Sequence, residues 1–236
     1  MSKYQMIFQD ILSKIKNEEI KPNSYLPSES ELMKVYSASR DTIRKALDLL
    51  LQKGYIQKTK GKGSMVLDTS RIAFPISGLT SFHELKKTMK GQIETIVVVF
   101  FEEEVNDILK KELYMDSGKV YHIERIRKIN GEKVIYDIDY LKKDVIKGLS
   151  ITNAQNSLYD YIENELKLQI SFARKEITIV KATEQEKILL DMQEYDFLVC
   201  VKSYVYLEDA TLFQYSLSKH RPDKFRFVDF ARRSQL

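Results

Sequence analysis

An α+β chain is expected: a small three-helix unit closed by a β-hairpin at the N-terminus, followed by a larger, mostly antiparallel sheet. Three observations lead there. Apolar residues recur at helical spacing as far as Leu50, and the period falls towards two after Gly54. Beyond residue 75, long extended runs alternate with short helical ones. The charge is also uneven: 13 Lys+Arg face 8 Asp+Glu up to Arg71, whereas the remainder holds 25 against 26. A basic front on a near-neutral body marks a polyanion-binding module joined to something else.

Composition narrows the classes. A 236-residue chain that is 43% hydrophobic, with only four prolines and eight glycines, can bury a sizeable core and does not read as disordered. Charges punctuate MSKYQMIFQDILSKIK, so it is not a signal peptide, and no run is apolar enough to span a bilayer. One cysteine, Cys200, excludes an internal disulfide framework and fits a cytoplasmic chain.

In the front unit, Ile7, Phe8, Ile11, Leu12 and Ile15 define an amphipathic helix over Tyr4 to Asn17. Ser28, with Glu31 three residues on, forms a capping box that opens a second helix burying Leu32, Val35 and Tyr36. Ser39 caps a third helix whose inner face is Ile43, Ala46, Leu47 and Leu50, and Gly54 suits its left-handed stop. Short extended runs, Tyr55 to Lys58 and Ser64 to Leu67, flank the tip Lys60-Gly61-Lys62-Gly63. Together these elements describe a winged helix-turn-helix.

Helical geometry leaves Arg40, Asp41, Arg44 and Lys45 on the outer side of the third helix near its N-terminus, the end that meets base edges in a DNA major groove. Arginine grips guanine O6 and N7 with two parallel bonds, and Thr42 is short enough for a phosphate or a thymine methyl. Lys60 and Lys62 offer phosphate contacts, and Gly61 and Gly63 let backbone approach the sugar-phosphate chain. Ordinary solvated charge is the competing explanation. It does not account for a cap, a basic outer face and a basic glycine tip occurring together.

For the body, helices are expected at Ser81–Lys90, Val105–Leu113, Ser157–Leu166 and Glu184–Met192. Strands are expected at Ile93–Phe101, Val120–Ile129, Val134–Leu141, Ile170–Val180, Phe197–Leu207, Leu212–His220 and Phe225–Phe230. Catalysis is poorly supported. His83, His122 and His220 lack metal-ligand spacing, Cys200 sits in the apolar run FLVC, and no nucleophile elbow or dinucleotide fingerprint occurs.

One binding constellation emerges. Arg125 and Arg127, two apart in a strand, leave the same face, where they would repel unless an anion or carboxylate intervenes. A three-residue loop Ile129-Asn130-Gly131 would pair Arg125 with Ile135 and bring Asp137 to that face, whereas a two-residue Asn130-Gly131 turn would send it to the other. We favour the first, which makes a pocket for a sugar phosphate: arginines for phosphate, aspartate for hydroxyls. Thr80, Ser81 and the adjoining Phe82 open a helix in PISGLTSFHEL, with Ser81 and Glu84 forming a capping box, and are candidates for the anion. Arg221 and Lys224 in SKHRPDKFRF are further candidates.

The stretches LPSESEL, SRDTIRKAL and GYIQKTKGKGSMV resemble the GntR family of bacterial transcription regulators. GLTSFHELK, RIRKINGEKVIYDIDYL, SLYDYIENEL and LFQYSLSKHRPDKFRFVDFARR extend the likeness to its HutC subgroup. The resemblance implies a head at 1–70, a linker at 71–75 within DTSRIAFP, and a chorismate-lyase-like effector domain without lyase activity at 76–236. It implies that positions matching Arg40, Thr42, Arg44 and the Gly61 tip touch operator DNA. Ser30 and Ser39 belong to the same surface, although Ser30 stands where the family often has a DNA-contacting arginine. It further implies a homodimeric repressor without a cofactor. Its inducer would be trehalose 6-phosphate or another sugar or amino-sugar phosphate, with the phosphate at Ser81, Arg125 and Arg127 and sugar hydroxyls near Asp137.

Overall fold

The computed structural model describes residues 2–17, 19–59, 61–67, 92–192 and 194–227. They fall into two compact units, to which the described residues up to 67 and those from 92 onward belong respectively.

The first unit comprises α1 (Lys3–Lys16), α2 (Glu29–Tyr36), α3 (Arg40–Gln52), β1 (Ile56–Thr59) and β2 (Gly63–Val66). The apolar stripe of α1 gathers with Ile43, Ala46, Leu47 and Leu50 of α3 in one core. Ser28 and Glu31 make the expected capping box, Ser39 caps α3, and Ser37 ends α2 in the left-handed region at φ 47°. Gly54 (φ 76°) takes the position beyond α3, with Tyr55 N–H donating back to Leu50 O at 2.9 Å. Strands β1 and β2 pair antiparallel, and Leu26 N–H donates to Ser64 O at 2.8 Å, fixing the hairpin to the loop before α2. Val35, expected inside, is 66% exposed. The buried direction of α2 runs through Leu32, Tyr36 and Met33, and at roughly 100° per residue this puts Val35 off to one side.

The second unit is a six-stranded antiparallel sheet in the order β3-β4-β5-β8-β7-β6. Its strands are β3 (Ile93–Glu104), β4 (Lys119–Ile129), β5 (Glu132–Lys142), β6 (Ile170–Lys181), β7 (Phe197–Leu207) and β8 (Leu212–His220). Its helices are α4 (Asp107–Leu113), α5 (Ile151–Asn156), α6 (Leu158–Asp160), which runs into a π-helical turn Tyr161–Glu165, and α7 (Glu184–Leu189). One face packs Tyr121, Ile123, Leu141, Val205 and Phe213 with Ala154, Leu158 and Ile162. The opposite face packs Val120 and Tyr215 with Leu109 and Leu113 of α4, and Ile126, Tyr136 and Leu198 with Leu190 and Met192.

A ladder of rings crosses that second face. Phe101, His122, Tyr140, Tyr215, Tyr204 and Arg174 are successive register partners, one from each strand. Neighbouring ring centroids lie 4.9, 4.6, 6.0 and 5.5 Å apart, and the Arg174 guanidinium carbon sits 5.6 Å from the Tyr204 ring.

Several elements depart from expectation. The helix expected over Ser157–Leu166 is preceded by the unexpected α5, because Ser157 is extended (φ −160°) and starts a fresh helix by capping Asp160 N–H. The helix expected from Val105 begins at Asp107, since Asn106 accepts from Ile108 and Leu109 N–H as its cap. Residues 225–227 of the expected last strand carry no strand pairing, β8 having ended at His220 ahead of a 3₁₀ turn at Pro222–Lys224. The expected helix Ser81–Lys90 and the segment Asp68–Pro75 lie outside the described residues.

Candidate functional site

On the first unit the basic surface is built from two helix starts. Ser39 Oγ accepts from Thr42 N–H at 3.3 Å, which begins α3 with Arg40, Asp41, Arg44 and Lys45 exposed and Thr42 half-buried. Glu29 accepts from Arg40 Nε–H at 3.2 Å and from Arg44 Nε–H at 3.1 Å. Ser30 is exposed beside Glu29. At the hairpin tip Gly61 (φ 80°), Lys62 and Gly63 (φ 95°) are exposed, and a Cβ on Gly61 would meet nothing within 4 Å. Lys60 lies outside the described residues. One face therefore presents a helix N-terminus with two arginines, and a glycine tip presents bare backbone, a pairing suited to base edges and phosphates.

On the second unit Arg125, Arg127 and Asp137 do meet, by a different route from the one expected. The β4–β5 connection is the two-residue turn Asn130-Gly131, both in the left-handed region (φ 52° and 85°). Such a turn alone would put Asp137 on the far face. An extra residue restores it: Lys128 pairs with Lys133 and Arg127 with Ile135, so Val134 is bulged and Arg125 lies opposite Asp137. The expected Arg125–Ile135 pairing is thus corrected, while the shared face stands.

Each arginine has its own carboxylate. Arg127 Nε donates to Asp137 Oδ2 at 2.8 Å, and Arg125 Nη2 donates to Asp139 Oδ2 at 2.6 Å. Arg125 Nη1 also reaches Ala154 O at 3.3 Å, and Arg127 Nη1 reaches Thr95 Oγ1 at 2.7 Å. From β8, Ser218 Oγ donates to Asp137 Oδ1 at 2.5 Å and Gln214 Nε2 donates to Asp139 Oδ1 at 2.7 Å. Arg125, Arg127, Asp139, Gln214 and His220 are all buried. Two buried polar atoms of this cluster have no partner among the described residues: the donor Arg125 Nε and the acceptor Gln214 Oε1.

Burial, then the neighbouring Arg125 charge, pulls the Arg127 guanidinium down to about 10, still cationic at neutral pH. Burial pushes Asp137 up, but Arg127 and Arg125 outweigh it and hold the carboxyl below its ordinary value. Burial also lowers His220 to about 4, leaving a neutral imidazole whose Nε2 lies 3.1 Å from Ser218 Oγ. Burial and then the Asp139 charge push the Tyr159 phenol up.

Arg221 and Lys224 do not join this cluster. Arg221 pairs with Asp223 at 2.8 Å and Glu132 at 3.3 Å, and Lys224 with Glu132 at 2.9 Å. Arg221 lines a cleft of about 390 Å³ with Glu132, Asp191, Glu194 and Asp223, a set unsuited to an anion. Thr80, Ser81 and Phe82 lie outside the described residues. Asp139, Gln214 and Ser218 escaped the sequence reading. Asp139 was within reach, because the alternation in YDIDYL puts it on the Asp137 face. The β8 residues were not, since nothing local says that β8 lies beside β5. Among the described residues no cluster of His, Cys, Asp or Glu is placed to hold a metal ion, and no helix is long and apolar enough to cross a membrane.

Comparison with known proteins matches residues 3–66 to "Bacterial regulatory proteins, gntR family" and residues 88–226 to "UTRA domain". The chain is 45% identical over 236 residues to the HTH-type transcriptional regulator TreR of Bacillus subtilis (strain 168), covering 100% of this chain and 99% of that protein. It is similar to the crystal structure of the possible transcriptional regulator YydK from Bacillus subtilis, with TM-score 0.83 at 25% identity over 98% of this chain and 100% of that one. It is also similar to the effector binding domain of the B. subtilis trehalose repressor, with TM-score 0.55 at 45% identity over 60% of this chain and 99% of that one.

Proposed function

The chain belongs to the GntR family, pairing a winged helix-turn-helix with a UTRA domain, and its relatives are transcriptional regulators rather than enzymes; from this premise we propose that it is a repressor of sugar-utilisation genes, released from its operator by trehalose 6-phosphate. In this reading residues 1–70 are the DNA-binding head, 71–75 the linker and 76–236 the effector-binding domain. The chain acts as a homodimer in the cytoplasm, because one small head reads few bases and an inverted repeat matches a two-fold protein.

The observation that carries the effector reading is the buried polar cluster of Arg125, Arg127, Asp137, Asp139 and Gln214. Its charges balance internally, yet one buried donor and one buried acceptor have no partner among the described residues. Leaving a buried polar atom without a partner costs roughly 1–3 kcal/mol, which a ligand carrying both acceptors and hydroxyl donors would relieve. A phosphorylated sugar is such a ligand. The likeness to the trehalose repressor's effector domain favours trehalose 6-phosphate among them. Ser81 and Thr80 are assigned to the same phosphate, and Arg40, Thr42, Arg44, Lys45, Lys62 and the Gly61 tip to operator DNA.

Thermal unfolding followed by an operator gel-shift tests this. Trehalose 6-phosphate is expected to raise the melting temperature and release the DNA, and trehalose to do neither. At a hundredfold excess over Kd the stabilisation should approach about 2.7 kcal/mol. A larger shift with glucose 6-phosphate or an amino-sugar phosphate would reassign the effector. No shift with any phosphorylated sugar would remove it.

A further inference from the structure

The two arginines of α3 share one carboxylate. Glu29, the first residue of α2, accepts from Arg40 Nε at 3.2 Å and from Arg44 Nε at 3.1 and 3.4 Å. Arg40 and Arg44 are one helical turn apart, so a single acid on the neighbouring helix reaches both. At a DNA-facing surface this is an odd placement. The acid cancels one of two positive charges and would itself repel phosphates.

Its value lies in which edge of each guanidinium it occupies. Arginine can present two forks: a side-on fork of Nε and one terminal nitrogen, or an end-on fork of the two terminal nitrogens. Glu29 occupies Nε of both residues. The terminal nitrogens of Arg40 and Arg44 make no hydrogen bond among the described residues. Only the end-on fork is left, and two parallel terminal bonds are what guanine O6 and N7 accept. The half-buried carboxylate also restricts long side chains that would otherwise sample many rotamers and settle on any nearby phosphate.

We propose that Glu29 is a positioning residue that sets sequence specificity: it aims Arg40 and Arg44 end-on at guanine and withdraws them from indiscriminate phosphate binding. The proposal rests on the reading of these arginines as base readers, and the test separates the two.

A consensus duplex selected from random sequence by the wild-type full chain is compared with a scrambled duplex of equal length. The ratio of the two affinities is measured for wild type, Glu29→Ala, Glu29→Gln, Arg44→Ala, Glu31→Ala and the combination of Glu29→Ala with Arg40→Ala and Arg44→Ala. Glu29→Ala should lower the ratio about tenfold while scrambled-duplex affinity holds or rises, because a negative charge has gone. Glu29→Gln, which keeps one acceptor oxygen, should lose less. Glu31→Ala breaks the capping box of the same helix without touching the arginines, so it should lower the melting temperature and leave the ratio unchanged. In the background lacking both arginines, removing Glu29 should not alter the ratio. Equal changes on both duplexes for Glu29→Ala and Glu29→Gln would reduce Glu29 to a bystander charge and overturn the proposal. If Arg44→Ala keeps the full ratio, or if selection yields no consensus, the base-reader assignment fails first and the proposal with it.

Discussion

At the residue scale, the buried arginine–carboxylate pairs decide most outcomes. Arg125→Ala should leave operator binding intact, since the residues proposed to read DNA belong to the other unit, and should abolish release by trehalose 6-phosphate. It should also lower stability by roughly 3 kcal/mol, because Asp139 would stay buried with Gln214 as its remaining side-chain donor among the described residues. Gel-shift with and without ligand, and urea unfolding, read the two effects; release that persists would move the pocket elsewhere. His220 gives a pH signature. Its folded value of about 4 lies below the ordinary 6.5, so the unfolded chain takes up the proton first as pH falls. The stabilisation is complete above pH 6.5 and is lost between there and pH 4, amounting to about 3 kcal/mol for a shift of this size. Asp137 faces the imidazole and titrates lower, beneath this window. Urea midpoints at pH 7.5 and 5.0 should separate for wild type and converge for His220→Gln; equal separation in both would assign the effect to other groups. The paired arginines could be anticipated from RIR and the acids from DID, because period-two spacing assigns a face without further help. Gln214 and Ser218 could not, since their neighbours come from strands distant in sequence.

Element boundaries follow local chemistry, and so do the errors. The Ser28 capping box and the Ser39 cap were written in residue types and spacing, and their helices begin where those residues stand. Ser39→Ala should cost the head about 1 kcal/mol, measurable as a lower urea midpoint. No change would mean that the Thr42 N–H finds another acceptor. The split at Ser157 and the register of the β4–β5 hairpin were hidden for the same reason: one extended serine and one bulged valine are decided by packing against other elements. Deleting Val134 tests how much rides on that bulge. Removing the extra residue leaves Arg127 opposite Ile135 and Arg125 opposite Asp137, so the shortened chain should keep both buried ion pairs and a cooperative unfolding transition, losing only what the buried Val134 side chain contributes. A shortened chain that loses cooperative unfolding or its response to ligand would show that the bulge itself holds the arginine face in place.

At the scale of the whole molecule, the two sites must share a free energy if ligand releases DNA. Linkage then runs both ways: whatever factor trehalose 6-phosphate takes from operator affinity, operator must take from trehalose 6-phosphate affinity. Titrating ligand against free and operator-bound protein should give equal factors, on the order of tenfold or more for useful control. Unchanged ligand affinity on DNA would mean the sites are uncoupled. The six-strand ring ladder bears on how such experiments can be watched. The chain has fourteen tyrosines and no tryptophan, and three of those tyrosines stand in ring contact across the middle strands. One of them, Tyr204, donates its phenol to the Glu112 carboxylate. Coupled, oriented phenols of this kind should dominate the near-ultraviolet circular dichroism, with no indole signal to mask them. The sheet therefore carries its own optical label, and the melting of the six-stranded unit can be followed apart from that of the helical one without attaching a dye.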